Sequence, residues 1–196
     1  MRVVRMLAFV LAVFLPASAF AQEWIEYVDC AERFSVNFPG QPAIRDTTYQ
    51  PQRGNALPAR VYTVQDGPRR YSVTVVHYAG GFRDVSDVLG SIAWEAWNFR
   101  KRGGKVTYDA YAQVDHIHGH QIHITNPDKS LTFAAIHLHA SRLYILEATA
   151  PPQTPGAVHF QQSLMILDDK AVRIRYNLDT EGNRTGRATY EPVRCQ

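Results

Sequence analysis

The chain has 196 residues, 45% hydrophobic and 20% charged, with a formal net charge of +3. That is ordinary composition for a globular protein with one sizeable core. It argues against nucleic-acid binding, which calls for a concentrated basic face.

Arg2 and Arg5 precede an apolar run from Met6 to Leu15, and Pro16 to Ala21 supplies small residues in A-x-A spacing. A charged start, short apolar centre and small-residue exit describe a signal peptide, expected over residues 1–21 and cleaved to leave Gln22 first. The run is about half the ~20 residues a spanning helix needs, so no transmembrane anchor is expected in the mature chain. Cleavage removes two arginines, leaving 19 basic against 18 acidic side chains and a charge near +1. Residues 22–196 are expected to form a single globular domain, periplasmic or secreted.

Phe34-Ser35-Val36-Asn37-Phe38 alternates apolar and polar residues as a strand does, and Pro39-Gly40 turns it. Ile44 to Tyr49 is extended, and Gln50 to Pro58 reads as an exposed loop. Strands are expected over 59–64 and 70–78, joined through Asp66-Gly67. From Ser86 to Arg102, apolar residues at three- and four-residue steps predict a helix. Asp84, Ser86 and Asp87 favour its start and Gly103-Gly104 its end. Trp94 and Trp97 at the margins of its apolar face are expected to seal it against a sheet, with stacking on a ligand as the alternative.

Beyond Lys105 the chain returns to strands, over 106–117, 121–125, 131–140 and 143–150. Thr154-Pro155 opens a second helix with apolar residues Val158, Phe160, Leu164, Met165 and Leu167, which Asp168-Asp169 would end. A last hairpin is expected over 172–178 and 185–190. Cys30 and Cys195, in an exported chain, read as a disulfide joining its two ends; two unpaired thiols are the alternative. With no C-x-x-C pair, redox catalysis is not expected.

Six of the eight histidines fall at His116, His118, His120, His123, His137 and His139. Alternation would gather His116, His118 and His120 on one face if a strand ran through Gly119; if Gly119 breaks it, His120 points elsewhere. Imidazole suits zinc or copper, and three or four such ligands would make a metal site. Solvated strand histidines that titrate near neutrality are the competing reading. No G-x-S-x-G elbow, phosphate-binding loop, H-E-x-x-H or dinucleotide fingerprint occurs, so no catalytic residue is assigned.

The segment from Phe34 to Pro42 resembles the opening "F-x-v-x-f-P-x-x-P/W" strand of the PsbP/Mog1-like superfamily. Arg142 to Pro151 is similar to the family's "rlY-x-l-x-a-x-x-P" strand, and Ala157 to Leu164 to the "F-x-x-S-f/l" helix after it. The resemblance spans roughly residues 24–168. It implies an α+β fold, an α/β/α sandwich around a central antiparallel sheet, here with an added C-terminal β-hairpin. It also implies a non-catalytic binding protein for a protein partner or small-molecule ligand, and assigns no functional residue. The alternative is a periplasmic metal-binding protein using the histidine cluster.

Overall fold

Alternating apolar residues carry about half of the described chain into strands. The structure, a computed structural model, describes residues 24–82 and 84–195, apart from the side chains of Pro155 and Gly156. The expected signal segment, residues 1–21, lies outside them. Seven antiparallel strands form the main sheet: β3 (Ala43–Tyr49), β4 (Leu57–Asp66), β5 (Arg69–His77), β6 (Lys105–Val114), β7 (Ile117–Thr125), β8 (Leu131–His139) and β9 (Arg142–Ala150). Their order is β3-β4-β5-β9-β8-β7-β6. A smaller sheet joins β1 (Ile25–Asp29), β2 (Phe34–Phe38) and β10 (Met165–Ile166).

Period-two alternation gives the main sheet two apolar faces. On one lie Ile122, Ile124, Ile136, Leu143 and Ile145, covered by helix α1 (Val85–Lys101) through Ile92, Ala96 and Phe99. Burying a side chain such as Phe99 contributes about 1.5–3 kcal/mol. The Asp84 carboxylate caps α1, accepting from Ser86 N at 2.7 Å and Asp87 N at 3.1 Å. On the other face Tyr62, Tyr71, Val73, Val75 and Leu146 meet Phe34, Val36 and Phe38 of the small sheet, with Phe160 from helix α2 (Pro155–Gln161).

This arrangement corrects the expected α/β/α sandwich. The protein is mostly β, 50% strand against 13% helix. The second face is covered by a small sheet and a seven-residue helix, not by a helical layer. The reason lies just past Gln161. Ser163 Oγ donates to Phe160 O and accepts from Asn37 N at 3.0 Å, which ties this segment to β2. Leu164 and Ile166 then reach the core from a loop and from β10, where a longer helix was expected to carry the apolar run. Asp168 does not end a helix; its Oδ1 accepts from Lys170 N and Val172 N in a separate turn.

Three other expectations shift. The C-terminal hairpin is present but shorter, as β11 (Tyr176–Leu178) and β12 (Arg184–Arg187). Trp94 and Trp97 do not seal α1 against the sheet. Three residues apart, they stack on each other at 4.9 Å, and Trp97 is 43% exposed. The strand expected over 106–117 breaks at Asp115-His116, a two-residue turn with both φ positive, while β7 runs unbroken through Gly119.

The turn between β1 and β2 locks the two sheets together. Glu32, 5% exposed, places its carboxylate 2.8 Å from His77 Nε2, 3.4 Å from Arg60 and 3.8 Å from Arg142. Tyr144 donates its hydroxyl to the Glu32 carbonyl at 3.1 Å. Cys30 in the same turn forms a disulfide with Cys195, across a sequence separation of 165. Closing so long a loop removes much unfolded-chain entropy. Replacing both cysteines with serine is expected to cost about 5 kcal/mol of unfolding free energy, measured by urea denaturation. A loss below about 1 kcal/mol would show that the bond adds nothing to the folded state.

Candidate functional site

The sheet divides the histidines. His118 and His120 point to the α1 face with Ile122 and Ile124, whereas His123, His137 and His139 take the opposite parity along β7 and β8. His116 sits in the turn before β7. Among the described residues, no group of three or more His, Cys, Asp or Glu side chains could hold a metal ion.

Most of these rings have partners from other strands and helices. His120 Nε2 lies 2.5 Å from Asp109, whose carboxylate is also clamped by Arg100 of α1 at 2.6 and 2.8 Å. The Arg100 guanidinium is the main reason the Asp109 carboxyl is held down at about 2, with His120 adding to it. His123 bonds Gln161 of α2 at 3.0 Å and is flanked by Tyr108 and Phe133. Burial lowers its pKa, the Gln161 bond opposing. These contacts hold the elements together.

His137 is fully buried beside Gly119, its register partner on β7. A Cβ on Gly119 would collide with the His137 ring and lie 2.6 Å from Ile136 O. The glycine therefore admits the ring instead of breaking the strand. Burial pushes the His137 pKa down to about 4, against bonds to the Ile117 and His118 backbone, so the ring is neutral at pH 7.

The concavity that gathers predicted residues lies where the start of α1 meets the ends of β7 and β8. It is a groove of about 460 Å³, walled by Val85, Val88 and Leu138 and bordered by His118, His139 and Arg184. It adjoins a second hollow that shares Val85, His118 and Arg184 and adds His116 and Leu178. Arg184 is fixed in place, donating to His116 O at 2.7 Å and lying 4.2 Å over the Tyr176 ring. The Tyr111 hydroxyl bonds His118 Nδ1, and His139 bonds the Tyr176 hydroxyl at 2.9 Å. Burial, and secondarily the Arg184 charge, lowers the pKa of His118. Burial, then Arg184, Arg187 and Arg33, takes His139 down to about 4.

At neutral pH the groove thus offers apolar walls, neutral imidazoles and the permanent cation of Arg184. Asp84 also borders it, but its Oδ1 already caps α1. Of the six histidines, His116, His118 and His139 line this joined region, while His120, His123 and His137 do not. The sequence reads Arg184, with Arg173, Arg175 and Arg187, as a basic hairpin edge that blocks strand pairing or meets an acidic partner, and does not place it near the histidines. Only tertiary packing sets it beside His118.

No family model matches the chain, and no curated protein matches it in sequence.

Gly119→Ala is expected to lose about 2–3 kcal/mol from the collision with His137, read from urea midpoints; an unchanged midpoint would mean the ring has room to move. His137 and His139, neutral when folded, bind a proton near pH 6.5 once unfolded but only near pH 4 when native. The unfolded state therefore holds more protons in that window, and stability falls as pH drops through it. His137 alone sets a ceiling of about 3 kcal/mol on its share of the loss. Urea midpoints from about pH 7.5 to about pH 4.5 should fall, and His139→Asn should flatten the slope.

Proposed function

We propose that this chain is an exported, non-catalytic binding protein, acting in the periplasm or outside the cell, and that it is of PsbP/Mog1-like type. The signal-like segment and the Cys30–Cys195 disulfide support export. The ordered motifs at residues 34–42, 142–151 and 157–164 support the family reading.

The observation that carries the binding role is the groove over Val85, Val88 and Leu138 with Arg184 fixed at its border. An apolar wall with one oriented cation suits a small ligand, or a segment of a partner protein, with an apolar body and an acidic group. Zinc or copper handling by the histidines is the alternative, and no arrangement of the described residues favours it.

Decanoate serves as the probe, titrated calorimetrically into the mature chain. Saturable binding is expected, weakened at least about tenfold, or 1.4 kcal/mol, by Arg184→Ala. Binding unaffected by that change would remove the groove from the assignment. Turnover of a general hydrolase or oxidoreductase panel would overturn the non-catalytic role. Near-stoichiometric metal, by elemental analysis after zinc and copper challenge and dialysis, would favour the alternative.

A further inference from the structure

The outer side of α1 carries a second concavity with different chemistry. Ile92, Ala96 and Phe99 face the sheet, so residues 90, 94, 97 and 101 lie on the opposite side of the helix. There Trp94 and Trp97 stack on each other, and Lys101 Nζ lies 3.5 Å from the Trp97 ring centre. Trp94 donates its indole N–H to Gln50 O at 3.4 Å, so the loop after β3 faces the helix. Between them is a cleft of about 380 Å³ lined by Gln52, Arg53, Tyr78, Asp87, Ser91 and Trp94. A neighbouring hollow shares Gln52 and Trp94 and adds Trp97, extending the surface along the helix.

Gly90 lines both hollows. Its backbone is ordinary helix, and a Cβ there would meet nothing within 4 Å, so neither strain nor crowding calls for glycine. Glycine in a helix interior is unfavourable relative to alanine. What its missing side chain does at this position is leave the floor in front of Trp94 open. The wall behind is held in place: the Tyr78 ring packs on Phe82 at 4.7 Å between centres, and Tyr49 donates at 2.9 Å to the buried Glu95 carboxylate.

We propose that this cleft binds a neutral oligosaccharide, one sugar ring lying on Trp94 and the next reaching toward Trp97; the proposal rests on the binding-protein reading above. A pyranose ring has an apolar C–H face and a rim of hydroxyls, each able to donate and accept. The cleft matches both parts. It pairs indole surface with donors from Arg53 and Gln52, an acceptor from Gln52 and the hydroxyl of Tyr78. The polar rim is too extensive for a lipid chain.

Cellotetraose and chitotetraose are the probes, titrated into the mature chain with tryptophan fluorescence and calorimetry as readouts. At least one should bind saturably at about 1 mM or tighter. Trp94→Ala should weaken binding at least tenfold. Gly90→Leu should fill the floor and abolish binding while raising the melting temperature, so loss of the site cannot be mistaken for unfolding. Arg184→Ala should leave saccharide binding unchanged. No saturable signal from either sugar, or binding that survives both cleft variants, would overturn the site. If decanoate still binds at Arg184, only the cleft assignment fails and the binding role stands. If the protein cleaves the tetrasaccharide, the non-catalytic role fails and the cleft stands.

Discussion

The four residues between β1 and β2 hold this protein's two sheets together. Glu32 is surrounded there by His77, Arg60 and Arg142, from β5, β4 and β9. A buried carboxylate is costly unless paired and hydrogen-bonded, so the turn is stable only when all three strands are in place. Tyr144 and Arg142 also donate to carbonyls of this turn, and Tyr62 bonds Asp29 at 2.6 Å. The small sheet is thereby set over one face of the main sheet, and its aromatic residues complete that core. With this face closed by β1, β2, β10 and α2, α1 is left to cover the other.

Much of this was legible in the sequence because local chemistry and tertiary structure agreed. The alternation of β2, the amphipathic spacing of α1 with Asp84 before it, and the long alternating runs of β8 and β9 each specify one element. Reading failed where a residue's role depended on a distant partner. The two-residue turn at Asp115-His116 has positive φ at both positions without the Asn-Gly or Asp-Gly that usually marks such turns. Gly119 read as a strand breaker because nothing local reveals the His137 ring above it. Leu164 and Leu167 looked helical, but a core is indifferent to whether a helix or a loop delivers an apolar side chain.

The candidate sites show the same division. Histidine spacing drew notice to β7 and β8, but spacing does not show which strand faces what. Once paired, the histidines separate onto opposite faces, and several take up positions between elements. Arg184, which gives the groove its charge, and Gly90, which opens the cleft, carry no motif at all. Both concavities lie along α1, one at its start and one on its outer side. A single helix therefore contributes to the core and to both surfaces, which explains its mixture of buried phenylalanine, exposed tryptophan and an otherwise unfavourable glycine.

The disulfide has a topological consequence as well as an energetic one. By linking Cys30 to Cys195 it makes nearly the whole folded chain a covalent ring. One proteolytic cut within that ring, for example in the loop facing Trp94, would leave both pieces attached to each other. Between the pieces the antiparallel ladder and the Glu32 cluster would still hold. Such a chain can be nicked once and still remain one molecule.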